Sequence, residues 1–305
     1  MSEIKLFKLR AGQASEIAGH ADGLEKSLQT LLENNLETIL GVRFLATEYS
    51  TGKLHGGRID SLGIDENGCP VILEYKRAIS ENVVSQGLYY LDWLLDHKAE
   101  FKFLVLERFG QDVADSIDWS APRLICVAAD FTKFDEHAIR QINRNIDLVR
   151  YRRFGEELLA LELATRVSAE PVITGEKDDE SPAPGSQPRD KTVAEMLAEM
   201  SDSVRDVYEE LRAFILGLGD DVVEKQLKYY VAFRRIKNFA TIVVLKKGIC
   251  LYLHIDPMTV ELDPACMRDM RHTGHWGTGD LEVMVYDQAS ARRYQPLILR
   301  AYEGR

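Results

Sequence analysis

Apolar and polar positions alternate along most of this chain with two distinct periods. Leu24, Leu28, Leu31, Leu32, Leu36 and Ile39 recur at spacings of three and four, which predicts a helix over residues 23–39. Strand-like runs follow at 43–48, 58–64 and 70–76, then a helical stretch at 81–96. Apolar runs at 101–106 and 123–128 read as strands, followed by a helix at 135–143, a strand at 146–150 and a helix at 156–163. This order predicts an α/β sandwich with a mixed sheet: strands joined through helices pair parallel, and hairpin-linked strands pair antiparallel.

The periodicity stops at 166–190, where proline, glycine and charged residues crowd together without an aromatic side chain. Such a segment buries too little apolar surface to offset its ordering entropy, so a disordered linker is expected. Beyond it, a helical pattern over 192–216 breaks near Ser201. Strands are expected at 239–245 and 249–255, joined at Lys246-Lys247-Gly248, then a strand at 282–286 and a helix at 289–302. The reading is a domain at 1–165, a linker, and a smaller α+β domain at 191–305. A length of 305 residues suits two domains of about 100–200 residues each.

A formal net charge of −11 excludes a protein that coats nucleic acid by bulk positive charge, so any phosphate contact has to be local. No run of ~18 apolar residues exists to span a bilayer, and the first residues lack the ~7–15-residue apolar stretch of a secretory signal. A cytoplasmic protein with no membrane partner is expected. Cys69, Cys126, Cys250 and Cys266 are scattered without a Cys-x-x-Cys pair, which predicts buried thiols rather than a zinc knuckle or a disulfide framework.

Candidate chemistry concentrates in the text G-G-R-I-D-S-L-G-I-D-E-N-G-C-P-V-I-L-E-Y-K-R, from Gly56 to Arg77. Glu66-Asn67-Gly68 suits a three-residue hairpin loop with Gly68 in the left-handed position. Asp65 then faces Cys69, and counting back along both strands brings Asp60 opposite Glu74. Alternation places Glu74 and Lys76 on one face and Tyr75 on the other. The preceding Val71-Ile72-Leu73 reads as a strand buried on both faces, so two acids and an amine converge where desolvation is costly. Pairing with Lys76 compensates part of that cost. A hard divalent cation would compensate more, since Mg²⁺ typically takes one or two carboxylates and keeps several waters.

Asp60, thirteen intervening residues and then Glu74-Tyr75-Lys76 resemble the acid and E-x-K elements of the PD-(D/E)xK nuclease superfamily, with Ile59 where a proline commonly stands. The G-R-I-D text and the spacing are similar to the nuclease domain of the EndoMS/NucS mismatch endonucleases. Gln86 and Tyr90, four apart on one helix face, resemble the Q-x-x-x-Y element of RecB-like nucleases. Glu25 is similar in place to the additional acid of such metal sites, with Glu33 as its competitor.

The resemblance implies a restriction-endonuclease-like mixed sheet and metal-assisted phosphodiester hydrolysis. It implies Asp60, Glu74, the Tyr75 carbonyl and Glu25 as ligands of Mg²⁺ or Mn²⁺. Lys76 would orient or deprotonate the water, and Gln86 would position the lysine or the scissile phosphate. Arg58, Arg77 and Tyr90 near the site, with Arg150, Arg152 and Arg153 farther on, are the expected nucleic-acid contacts; for the last three a solvated strand end reads equally well. DNA is the expected substrate and RNA the alternative. A homodimer is expected if both strands are cut, because each chain offers one site. The competing class is a nuclease-fold scaffold that binds nucleic acid without turnover, against which the intact Asp60, Glu74 and Lys76 argue.

In the second domain, K-Y-Y-V-A-F-R-R-I-K-N-F-A from Lys228 and G-H-W-G-T-G-D from Gly274 resemble a small domain of unknown function found after predicted nucleases, some members of which carry a transport label. Lys225, Lys228, Arg234, Arg235 and Lys237 interleave with Tyr229, Tyr230, Phe233 and Phe239. That composition suits phosphate and base contacts, but reads more readily as an aromatic core with solvated charges. His272, His275 and Asp280 are too loosely spaced for a metal site and read as part of a packed loop.

Overall fold

The computed structural model describes residues 4–20, 25–76, 82–169, 191–275 and 277–304. The chain divides into two compact units, residues 1–173 and 174–305. The first opens with an antiparallel hairpin, β1 (Leu6–Arg10) and β2 (Gln13–Ile17), that forms a sheet of its own, and continues through β3 (Gly19–His20). Helices α1 (Glu25–Asn34) and α2 (Leu36–Leu40) lead to β4 (Val42–Ser50), the short helix α3 (Gly52–His55), and the hairpin of β5 (Arg58–Asp65) and β6 (Pro70–Lys76). Helices α4 (Val83–Asp96), α5 (Lys98–Phe109) and α6 (Gln111–Asp115) precede β7 (Arg123–Ala128), and α7 (Lys133–Ile139) precedes the hairpin of β8 (Asn145–Phe154) and β9 (Leu158–Val167).

These strands build a seven-stranded mixed sheet in the order β3-β8-β7-β6-β5-β4, with β9 also paired to β8. β6 is antiparallel to β5 on one side and parallel to β7 on the other. The mixed sheet flanked by helices that the sequence predicts is therefore present. Its centre is apolar on both faces, as the Val71-Ile72-Leu73 run requires: all three are fully buried. Helix α4 packs on β6 and β7, while α1 packs on β4, β5 and β6. Gly87 lets α4 approach closely, since a β-carbon there would lie 2.5 Å from the Leu124 side chain.

Two expected elements are of the other type. Residues 101–106 lie in α5 rather than in a strand; only Phe101 and Val105, four apart, are buried in that helix, a spacing that fits one helical face. Residues 156–163 belong mainly to β9 rather than to a helix. Leu, Ala and Glu favour a helix locally, but Gly155 (φ 61°) turns the chain back and β9 pairs with β8 from Phe154–Leu158 to Ile146–Val167. β9 thus runs two residues past the expected domain edge at 165, and Arg166, placed in the linker by the sequence reading, pairs with the buried Asp147. Residues 170–190 of the expected linker lie outside the described residues. The predicted 23–39 helix is interrupted at Asn35 into α1 and α2.

The second unit is the smaller α+β body. Helices α8 (Val193–Glu199) and α9 (Asp202–Leu216) break at Met200-Ser201, as expected, with Thr192 capping α8 through Glu195. A six-stranded antiparallel sheet follows in the order β10 (Val223–Gln226), β11 (Val231–Arg234), β12 (Asn238–Leu245), β13 (Gly248–Leu253), β15 (Leu281–Val285), β14 (Met267–Asp269). The final helix α10 (Gln288–Glu303) and α9 cover one face, burying Val207, Leu211, Ile298, Ile242 and Leu251 in one core. The sequence reading did not anticipate β10, β11 or β14. Cys69, Cys126 and Cys250 are buried and Cys266 half-buried, all as free thiols.

Candidate active site

The site is made by the β5–β6 hairpin. Gly68 (φ 79°) takes the left-handed position, Gly68 N–H donates to the Asp65 carbonyl at 3.0 Å, and the Asp65 carboxylate accepts from the N–H groups of Asn67 and Cys69 at 2.9 Å each. That turn sets the expected register, with Ser61 opposite Leu73 and Leu62 opposite Ile72. One step further the strands exchange side chain for backbone. Asp60 N–H donates to Glu74 Oε1 at 3.2 Å, and Tyr75 N–H donates to Asp60 Oδ2 at 3.0 Å. The two acids are neighbours, locked reciprocally to each other's strand.

Glu74 is fully buried and Asp60 half-buried. Burial, and then the charge of Asp60, push the Glu74 carboxyl up to about 9. Burial also raises Asp60, against the Tyr75 N–H and the Lys76 charge, which lower it. Glu74 Oε2 is buried and has no hydrogen-bond partner, an acceptor left unfilled where unfilled acceptors are costly. Among the described residues no three His, Cys, Asp or Glu side chains gather to hold an ion by themselves. The donor set is therefore two carboxylates with the adjacent main chain, which fits a hard cation that keeps most of its own waters. Cysteine and histidine ligands for a softer metal are absent from this donor set.

Lys76 ends β6 with its ammonium 3.4 Å from Glu25 Oε1 at the start of α1. Glu25 thus stands on the lysine, while its charge also acts on Asp60. Glu33, its competitor in the sequence reading, accepts from the Ser61 hydroxyl at 2.6 Å and from Gln29 at 2.9 Å, inside the packed layer. Gln86 is half-buried, with Nε2 3.5 Å from the Tyr90 hydroxyl. Tyr90 is buried, which corrects its expected role as a nucleic-acid contact, since no ring face is open to a base. Its hydroxyl instead accepts from Arg58 N–H at 3.2 Å, fixing the entry to β5.

Gly57 makes that contact possible, because a β-carbon there would lie 2.6 Å from the Tyr90 ring. Gly57→Ala is expected to destabilise the first unit by about 1–3 kcal/mol through overpacking, read as a lowered Tm. An unchanged Tm would remove Tyr90 as the anchor of β5.

Arg58 is exposed, 3.6 Å from Glu48, beside an open depression lined by Ser50, Gly52, Lys53, Gly56 and Gly57. Arg77 lies outside the described residues. The backbone of Arg150 aligns with Ala128 of β7, which aligns with Lys76, so it sits two strands from the lysine at the same sheet end. Its guanidinium pairs with Asp130 (2.6 Å), Glu136 (2.5 Å) and Glu162 (3.8 Å), as the alternative reading of a strand end with its own ion pairs has it. Arg152 is exposed and Arg153 half-buried beyond it.

In the second unit, Phe233, Phe239 and Arg234 are buried. Arg235 pairs with Asp221 at 2.6 Å and covers the Tyr302 ring, while Lys228 and Lys237 are exposed and Lys225, Tyr229 and Tyr230 half-buried, so the basic–aromatic text divides between core and surface. His275 stacks on Tyr252, as a packed loop would; Trp276 lies outside the described residues. The sequence reading missed Gln29 and Glu48. The signal for Gln29 was a polar residue between Leu28 and Leu32 on the apolar stripe of α1; for Glu48, which has φ 49° inside a strand, there was none.

Residues 193–304 match the family described as a domain of unknown function, DUF5655. Over 286 residues the chain is 29% identical to an uncharacterized protein of Haemophilus influenzae, a match covering 92% of this chain and 94% of the relative. Among solved structures, it is similar to a repair endonuclease from Pyrococcus abyssi (22% identity, TM-score 0.29, 42% of this chain and 47% of that one). It is also similar to the protein of the EndoMS-dsDNA2 complex (23% identity, TM-score 0.28, 41% and 44%). The chain spans under half the length of either solved chain. Among the described residues no helix is long and apolar enough to cross a membrane.

Proposed function

We propose that this chain is a divalent-metal-dependent endonuclease that hydrolyses phosphodiester bonds, with DNA as its substrate. The observation that supports it most is the buried Glu74 carboxyl, with one oxygen unpartnered, beside Asp60 and two residues from Lys76. A buried acid pair whose charge Lys76 and two backbone N–H groups offset only in part costs stability, and a bound hard cation would offset the rest.

Asp60 and Glu74, with the Tyr75 carbonyl, would hold Mg²⁺ or Mn²⁺. Such an ion supplies Lewis acidity toward a phosphoryl oxygen, a more acidic water and neutralisation of developing charge. Lys76 presents its ammonium at the mouth of the pair, where it orients the attacking water and balances charge growing on phosphorus. Glu25 holds that ammonium in place and sets its local field. Arg58, exposed at the entry of β5, steadies a flanking phosphate. A nearly neutral second unit supplies shape rather than bulk charge to any partner.

Incubation of the purified chain with duplex, mismatched, single-stranded and RNA oligonucleotides tests this. Cleavage of DNA with Mg²⁺ or Mn²⁺ that EDTA abolishes is the expected result. Cleavage that persists in EDTA, or none on any substrate with either ion, would sink the proposal; RNA cut in preference to DNA would change the substrate alone.

A further inference from the structure

We infer that Gln29 is a positioning residue for the Asp60–Glu74 pair, an inference that rests on the pair being a cation site. Gln29 lies on α1 and is 3% exposed, buried like Leu28 and Leu32 on the same helix. Its carboxamide is fully engaged. Nε2 donates to the Asp60 carbonyl at 2.7 Å, with Glu33 Oε1 at 2.9 Å and Thr47 Oγ1 at 3.2 Å, while Oε1 accepts from Lys26 Nζ at 3.2 Å. Glu33 is fixed in turn by the Ser61 hydroxyl. One amide therefore ties α1 to β4 and to the peptide that carries Asp60.

That peptide needs the tie. Asp60 stands one step beyond the Ser61–Leu73 pair, and both its main-chain groups are bonded by side chains, the N–H by Glu74 and the carbonyl by Gln29. The facing strand is irregular at the same level. Glu48, between the Thr47–Ser61 and Tyr49–Ile59 pairs, sits in the left-handed region at φ 49°, which is strained for a residue with a side chain. Ligand oxygens have to be held to within roughly 0.5 Å for a cation to bind well. Without the Gln29 amide, the Asp60 carbonyl becomes a buried acceptor with one partner fewer, and the Asp60 carboxylate loses the fixed base from which it projects.

Calorimetric titration of Mn²⁺ into the full chain tests this, comparing wild type with Gln29→Met, which keeps length and apolar burial, and with Glu33→Gln, which keeps the amide but removes its charged acceptor. Gln29→Met is expected to weaken Mn²⁺ binding about 10–100-fold, the range for groups that orient metal ligands. The Mn²⁺ concentration for half-maximal cleavage should move by the same factor, with KM for the oligonucleotide at saturating Mn²⁺ unchanged. A purely structural role would lower Tm without moving the Mn²⁺ dependence.

Folded Gln29→Met with wild-type Mn²⁺ affinity overturns the inference. Should Gln29→Met fail to fold, Glu33→Gln decides: a smaller weakening supports the inference, and none overturns it. Wild-type protein that takes up no Mn²⁺ sinks the cation-site reading itself, whereas a binding wild type with indifferent variants sinks only the role of Gln29.

Discussion

Lys76→Ala is expected to lower the cleavage rate by about 10²–10³-fold, the usual loss when one charge-stabilising donor is removed from a reacting centre. The side chain lies at a strand end, and its ion pair with Glu25 is partly exposed, so little core packing goes with it. Tm should accordingly stay within a few degrees of wild type, corresponding to about 1 kcal/mol or less. Mn²⁺ affinity should change little, because Lys76 is not a ligand. Asp60→Ala should abolish both turnover and Mn²⁺ uptake. The contrast between the two variants separates the ligand from the cation that works beside it, and full activity in either purified variant would remove the assignment.

Glu74→Gln gives the second large effect, and its sign depends on pH. In the unfolded chain this carboxyl titrates near 4.5, and in the folded, metal-free protein burial and Asp60 raise it to about 9. The folded state therefore holds a proton that the unfolded state releases across this window. The stabilisation from the protonated acid is complete below pH 4.5 and falls away as pH rises toward 9. Glutamine mimics the protonated acid at every pH. Metal-free Glu74→Gln should thus match wild type near pH 5 and melt higher at pH 8–9. A burden of about 1–2 kcal/mol from an unpaired buried charge corresponds to roughly 2–8 °C for a unit of this size.

Saturating Mn²⁺ should reverse the order at high pH. Only wild type gains binding energy, about 2.7 kcal/mol when the ion is present at 100 times its Kd. Differential scanning calorimetry at several pH values, with and without Mn²⁺, measures both halves. Parallel pH curves for the two proteins would show that Glu74 carries no displaced proton.

The hairpin that makes this site was legible because its determinants are local. Glu66-Asn67-Gly68 dictates the loop, the loop dictates the register, and the register makes Asp60 and Glu74 neighbours. What escaped the sequence depends on partners far along the chain. Arg150 reads as a free cation until Asp130, Glu136 and Glu162 converge on it from outside its own strand. Tyr90 shares a helix face with Gln86, but its burial follows from the close approach of Gly57. Residues 156–163 carry helix-forming side chains, and the pairing with β8 decides their conformation instead. The apolar run at 101–106 has too few residues for strand and helix periods to separate.

Because a single reverse turn sets the separation of the two acids, the thirteen residues between them act as a ruler with one elastic joint. Length added at the tip, beyond Asp65 and Cys69, would enlarge the loop and leave the acids facing each other. One residue inserted into either arm would rotate its carboxylate to the far side of the sheet. Changes of length that keep the acids opposed are accordingly those at the half-buried apex, residues 66–68, and the arms accommodate only changes that preserve parity.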